Sequence, residues 1–203
     1  MARVKRLAFR DQVYWGRPVP GFGDPRARIL ILGLAPAAHG ANRTGRVFTG
    51  DGVGASGDFL MAALHRAGFA NIPTSRHPDD GLSLTGVYIA AAVRCAPPDN
   101  KPTLGEIDTC LEHLANEVAL LPRLEVVVAL GKIAWDAWLK LRSKQGAALP
   151  RPKPQFGHNV RYTVGTLSTG RTLDLVGCYH PSRQNTNTGK VTPAMYDQVF
   201  QRL

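Results

Sequence analysis

Three polar side chains of different chemistry each follow an apolar segment that has the composition of a buried strand. Asp51 ends the long loop after segment 27–34, Asn100 follows segment 86–95, and His180 follows the apolar run that ends at Tyr179. In open α/β sheets the ligand binds at the carboxyl ends of the strands. If these ends meet at one edge, a carboxylate, an amide and an imidazole share one pocket.

Each of these residues also has a purely structural interpretation. Asp51 lies in Gly-Asp-Gly, a sequence that is typical of turns, and Asn100 follows two prolines and could simply shape its loop. A lone histidine such as His180 is commonly a structural residue. Their joint placement after strands, and no single residue, favours a functional site.

Strand and helix patterns alternate along the chain. Uninterrupted apolar runs predict buried strands at 27–34, 86–95, 126–130 and 173–179. Glycines and capping residues mark the helices between them, including a capping box that begins at Thr103. This alternation predicts an α/β protein with three αβα layers around a central, parallel, four-stranded sheet.

The pattern accounts for the chain as a single domain over residues 1–203, with two irregular stretches. Residues 1–26 are rich in aromatic residues and proline, and we expect an extended segment that wraps the surface. Residues 143–171 are rich in lysine, proline and glycine, which favours a loop with a small hairpin around 160–166.

Charge narrows the class of partner. Twenty-five lysines and arginines against fifteen acidic residues give a net charge of +10, which favours a polyanion, most commonly nucleic acid. A solvated basic surface without a ligand is the alternative. Four arginines in glycine-rich or proline-rich loops favour phosphate contacts: Arg43, Arg46, Arg94 and Arg183.

Targeting signals are not evident in the sequence. No run of about 18 apolar residues predicts a membrane span, and the basic first residues lack the apolar core of a signal peptide. We therefore expect a cytoplasmic protein with no membrane partner. We also expect a monomer.

Four motifs resemble the fifth, B-type family of prokaryotic uracil-DNA glycosylases. They are Gly-Leu-Ala-Pro-Ala-Ala-His-Gly from Gly33, Asn-Arg-Thr-Gly-Arg-Val-Phe-Thr-Gly-Asp ending at Asp51, Ala-Ala-Val-Arg-Cys-Ala-Pro-Pro-Asp-Asn ending at Asn100, and Tyr-His-Pro-Ser-Arg-Gln-Asn-Thr from Tyr179. The similarity runs from about Arg6 to the C-terminus. It implies a DNA repair hydrolase that cleaves the N-glycosidic bond of uracil in DNA and leaves an abasic site.

The resemblance also implies roles for individual residues. Asp51 is expected to orient the water and to offset positive charge on the sugar, and His180 to donate to the O2 carbonyl of the base. The expected base-binding residues are Gly33, Ala35, Pro36, Phe48 and Asn100, with Phe48 stacking on the base and Asn100 contacting either base or water. The expected DNA-binding residues are Arg43, Ser182, Arg183, Gln184 and Asn185.

Two alanines depart from the pattern of the wider superfamily. Ala35 stands where related enzymes usually carry the water-activating carboxylate or amide, and Ala91 stands where A-type relatives carry an asparagine. The first departure keeps open a non-catalytic module that binds DNA damage. Together they predict a substrate range that reaches hypoxanthine or xanthine. A small-molecule nucleotide enzyme is a third class, but it predicts a glycine-rich phosphate fingerprint that is not present after the first strand.

Cysteines give a further expectation. Taken without the resemblance, all three are interpreted as buried thiols. The family resemblance implies a [4Fe–4S] cluster with four thiolates, and Cys95 and Cys110 match two of them. The expected N-terminal Cys-x-x-Cys is not in the sequence. Either Met1 is internal to a longer protein whose upstream residues supply the pair, or this member has lost the cluster.

Overall fold

The strands form one six-stranded sheet in the order β1-β3-β2-β4-β6-β5 in a computed structural model that describes residues 5–166 and 170–203. The strands are β1 (Phe22–Gly23), β2 (Ile29–Gly33), β3 (Val87–Ala91), β4 (Val126–Leu130), β5 (Arg161–Thr166) and β6 (Thr172–Cys178). Strands β3, β2, β4 and β6 are parallel, which confirms the predicted parallel core. Strands β1 and β5 add an antiparallel strand at each edge, so the prediction of four strands was too few.

The central strands are apolar along their whole length because both of their faces are covered. Every residue of β2 and β4 is buried, and Leu30 pairs in register with Tyr88 on one side and Val127 on the other. Side chains of a strand alternate between the two faces of the sheet, so a continuous apolar run is needed where helices cover both. The predicted strands at 27–34 and 126–130 are therefore confirmed as β2 and β4.

The helices divide between the two faces of the sheet. They are α1 (Ala41–Thr44), α2 (Ser56–Arg66), α3 (Leu104–Ala119), α4 (Lys132–Lys144), α5 (Arg183–Asn187) and α6 (Pro193–Phe200). Leu60 of α2 and Tyr196 of α6 share one apolar cluster with Ile31. Leu111 of α3 and Trp135 of α4 share a second cluster with other strand residues. The predicted three-layer αβα architecture is confirmed.

Helix ends follow the local capping residues. The Thr103 side chain accepts from the Glu106 amide while the Glu106 carboxylate accepts from the Thr103 amide, so the predicted capping box is present. Thr192 caps α6 by accepting from the Met195 amide. Ser56 is the first residue of α2, and the preceding residue provides no side-chain cap.

The two irregular stretches join the sheet at its edges. The part of segment 1–26 that the structure describes has a short 3₁₀ turn at Leu7–Phe9 and ends in β1. The prediction of a small hairpin around 160–166 is wrong, because these residues form a single strand, β5, which pairs antiparallel with β6. Within residues 5–166 and 170–203, no helix is long and apolar enough to cross a membrane.

Candidate active site

One cavity of about 480 Å³ opens at the carboxyl ends of β2, β3 and β6. It brings together eight of the predicted site residues: Ala35, Pro36, Phe48, Asp51, Asn100, His180, Ser182 and Arg183. The remaining lining residues come from the turn after β2, the N-terminal segment, α2 and the end of β3. The predicted convergence of a carboxylate, an amide and an imidazole therefore occurs around one cavity.

Phe48 forms part of the cavity wall in an unusual backbone conformation. Its φ angle is 51°, in the left-handed region that bulky residues rarely adopt. A Cβ on Gly33 would approach the Phe48 ring to 2.9 Å, so glycine at the end of β2 leaves the space in which the ring lies. The ring centroids of Phe48 and His180 are 6.1 Å apart and their planes are inclined by 30°. A planar ligand in the cavity therefore meets an aromatic ring and an imidazole together.

Asp51 presents a carboxylate that is reluctant to ionise. Burial raises its pKa to about 6, against a partial offset from Arg183 and Arg43. Among the described residues, no hydrogen bond to its carboxylate lowers that pKa. A side chain at position 40 would collide with the Asp51 carboxylate, so Gly40 allows the close approach. The carboxylate oxygens are thus left to bind water or substrate.

His180 is buried beside the cavity, and this burial lowers its pKa to about 4. The imidazole is consequently neutral near pH 7 and carries one N–H donor. The backbone carbonyl of His180 accepts a hydrogen bond of 2.8 Å from the side-chain amide nitrogen of Asn185. The preceding residue, Tyr179, accepts from the Tyr196 hydroxyl at 2.8 Å and donates its amide to His158 at 3.2 Å. Side chains from three other segments therefore fix the backbone on either side of the imidazole.

Arg46 holds the loop that carries Phe48 and Asp51. Its guanidinium binds both carboxylate oxygens of Asp80 at 2.8 Å. It also donates to the Thr49 hydroxyl at 2.8 Å and to the Ser75 hydroxyl at 3.3 Å. The prediction that Arg46 contacts phosphate is wrong, because this side chain is 7% exposed and bound within the protein.

Arg94 is a second arginine that the sequence interpretation assigned wrongly. Its side chain is 3% exposed and its two terminal nitrogens bind the Glu117 carboxylate at 2.8 and 2.5 Å. One of them also donates to the Val19 carbonyl. Arg94 therefore ties α3 to the segment before β1, and it does not reach a phosphate.

Two predicted DNA-binding residues have side chains that are already bound within the protein. Arg43 donates to the carbonyls of His39 and Gly50, each at 2.8 Å, and Asn185 donates to His180. Ser182 caps α5 through the Asn185 amide. Arg183 and Gln184 are exposed on α5, and Arg183 also reaches the carbonyl of Asp51 at 3.5 Å. Their contact with DNA stays a prediction.

The two candidate cluster ligands do not fit a [4Fe–4S] centre by themselves. The interpretation of Cys95 as a buried thiol is wrong, because this residue is exposed. Cys110 is partly buried, and its sulfur accepts from the Arg94 amide at 3.5 Å. The sequence has one other cysteine, Cys178, which is buried in β6. Among the described residues no group of three or more metal-binding side chains comes together. Two thiols fall short of the four that such a cluster uses.

Sequence reasoning did not find part of the cavity wall. Arg6, Phe9 and His39 also line the cavity, and the first two come from the segment interpreted only as a surface wrap. His39 belongs to the first of the four motifs but was not among the predicted site residues. Nothing in the spacing of Arg6 and Phe9 marks them as site residues, because their placement depends on contacts with residues that are distant in sequence.

Comparison with known proteins agrees with this fold and cavity. Residues 20–203 match the family model described as the uracil DNA glycosylase superfamily. The chain is 54% identical over 201 residues to the type-5 uracil-DNA glycosylase of Mycobacterium tuberculosis, covering 98% of this chain and 70% of that relative. It is 51% identical to the type-5 enzyme of Thermus thermophilus, covering 97% and 83%. The type-5 enzyme of Pyrobaculum aerophilum is 45% identical, with 93% and 76% covered.

The chain therefore belongs to the uracil-DNA glycosylase superfamily, and within it to the type-5 family. The resemblance stated from the four motifs is confirmed.

Asp51 should reduce the stability of the fold at neutral pH. Its pKa is raised in the folded state, so the fold favours the protonated carboxyl and loses stability as pH rises from about 4 through about 6. Asp51→Asn removes this loss. We expect the free energy of unfolding of the variant to exceed that of the parent by about 1–3 kcal/mol at pH 8, and the two values to be similar at pH 4.

Urea denaturation at both pH values measures this effect, with Asp79→Asn as a control for loss of an exposed aspartate. Equal stabilisation of Asp51→Asn at pH 4 and pH 8 would contradict the explanation.

Proposed function

We propose that this protein hydrolyses the N-glycosidic bond between uracil and deoxyribose in DNA and leaves an abasic site. One observation carries the proposal: a single cavity joins the half-buried Asp51 carboxylate, the neutral His180 imidazole and the Phe48 ring. The names of the type-5 relatives support the same activity. Because this chain itself supplies the carboxylate, the imidazole and the aromatic ring of the cavity, we also propose that the monomer is the active unit.

The base must leave the helical stack before its sugar carbon can be reached. In the cavity, Phe48 offers a face for stacking and His180 offers a neutral N–H donor. As the C–N bond breaks, negative charge develops on the base, and a donor aimed at its O2 carbonyl stabilises that charge. A neutral imidazole does this without giving up its proton.

Asp51 is expected to act on the sugar and on the attacking water. Breaking the bond leaves positive charge on the sugar, and an ionised carboxylate nearby offsets it while it orients the attacking water. The absence of a hydrogen-bonded protein partner, within the described residues, leaves the Asp51 oxygens available for that water. Ala35 lies in the same wall and supplies no competing polar group.

The rate of uracil release should fall at acidic pH because Asp51 becomes protonated, which gives the pH–rate profile an acid limb. We expect strand breaks after hot alkali with single- and double-stranded oligonucleotides that contain uracil. The single-turnover rate should rise about tenfold per pH unit below about pH 6 and level off above it, because the ionised carboxylate is required.

Asp51→Asn should lower the plateau by roughly 10²–10³-fold, abolish the acid limb and retain DNA binding. His180→Ala should lower the plateau by roughly 10²-fold and keep the limb. An intact strand at high excess of the parent protein would rule out the activity, in favour of a module that only binds DNA damage.

We further propose that hypoxanthine or xanthine is also released. Ala35 and Ala91 both line the cavity, and neither has a polar side chain that a wrong base would leave unpaired. Introducing an asparagine at position 91 should therefore reduce hypoxanthine release more than uracil release. Parallel single-turnover assays on the two DNAs measure this ratio, and strict uracil preference of the parent would overturn the proposal.

For iron, we propose that the 203-residue chain does not hold a [4Fe–4S] cluster with its own ligands. The proposal depends on the number of thiols: Cys95 and Cys110 are two of the four that such a cluster uses, and Cys178 is buried in β6. Purified protein of this sequence should be colourless, with far fewer than four iron atoms per chain. Iron analysis and visible absorbance decide the point, and a stoichiometric cluster would contradict it.

A further inference from the structure

Residues 5–16 form a lip of the cavity, here called the N-terminal lip. The amides of Trp15 and Gly16 donate to the carbonyls of Arg43 and Asn42, each at 3.0 Å. The Tyr14 hydroxyl bonds to Nδ1 of His39 at 2.9 Å. These contacts attach the lip to α1 and to the turn after β2, and the turn also lines the cavity.

Arg43 is the anchor of the lip. Its guanidinium donates to the Gln12 side-chain oxygen at 2.8 Å and lies 4.2 Å from the centroid of the Phe9 ring. The same group donates to the carbonyl of Gly50, next to Asp51. Arg43 therefore couples the lip to the loop of the catalytic carboxylate. With its donors used in this way, it is poorly placed to bind a phosphate.

Arg6 is the cation of the lip whose side chain has no protein partner among the described residues. Lys5 donates to the carbonyls of Arg10 and Gln12, and Arg10 pairs with Asp11 at 3.4 Å. The Arg6 side chain, in contrast, is exposed and lines the cavity. Burial lowers the pKa of the His39 imidazole in the cavity wall, and the positive charge of Arg6 lowers this pKa further.

We propose that Arg6 binds a phosphate of the DNA strand beside the nucleotide that enters the cavity. The inference rests on the proposed action on DNA. When a base occupies the cavity, its flanking phosphates stay at the rim, where an arginine can bind them. The turn after β2 contributes mostly apolar side chains to the wall, and the Asp51 carboxylate repels phosphate. Arg6 and Arg183 are the exposed cations of this cavity that can attract the backbone.

The test compares Arg6→Ala with Arg10→Ala, a matched loss of an exposed arginine from the same lip. Affinity is measured for a duplex with one abasic-site analogue, at salt concentrations from about 50 to 200 mM. Arg6→Ala should bind roughly 3–10-fold more weakly, and its log–log salt slope should be shallower by about 1. Arg10→Ala should stay within about twofold of the parent, and Arg6→Lys should recover most of the slope.

Equal affinity and equal salt slope for Arg6→Ala and the parent would overturn the proposal. Equal losses in Arg6→Ala and Arg10→Ala would also overturn it, because they would indicate a general effect of charge. Uracil release by the parent is measured separately. If the parent releases no uracil, the proposed function fails, while the binding series still decides the role of Arg6.

Discussion

The buried ion pair between Arg46 and Asp80 is the interaction on which the site depends. These residues are 34 positions apart, and the Asp80 carboxylate also accepts from the amides of Arg76, His77 and Leu82. The pair therefore fixes the loop after β2 and the loop after α2 against each other. Phe48 and Asp51 follow Arg46 within five residues, so their directions into the cavity follow from its position. Removing Asp80 would leave the buried Arg46 guanidinium without an opposite charge, which is far more costly than losing a surface pair.

Local strain and desolvation are concentrated where this loop meets the cavity. Phe48 has a positive φ, the Asp51 carboxylate is buried enough to raise its pKa to about 6, and burial keeps His180 neutral. Each feature is unfavourable for folding when taken alone. They persist because the surrounding hydrogen bonds and two closely packed glycines, Gly33 and Gly40, determine the conformation. Such local departures are expected at sites selected for chemistry.

The sequence predicted the parallel core because its signals are local. Continuous apolar runs identify strands covered on both faces, and capping residues such as Thr103 mark helix starts. The edge strand β1 was missed because it has two residues, too few for a pattern. Arg46 and Arg94 were assigned wrongly for a different reason. A glycine-rich or proline-rich neighbourhood does not reveal that a carboxylate 34 or 23 residues away lies opposite the guanidinium.

In the proposed reaction, the same burial that makes Asp51 reluctant to ionise also makes its carboxylate effective once it has ionised. A carboxylate in a partly desolvated cavity has few water dipoles to screen it, so its attraction to a positive sugar is stronger than in bulk water. The protein holds the charge in place before the reaction, so little reorganisation is needed as positive charge develops. His180 complements this arrangement, because a charged imidazole there would lower the pKa of Asp51 and also repel the sugar cation. In the proposed mechanism, the neutral His180 donor therefore stabilises the negative charge on the base, and the Asp51 carboxylate stabilises the positive charge on the sugar.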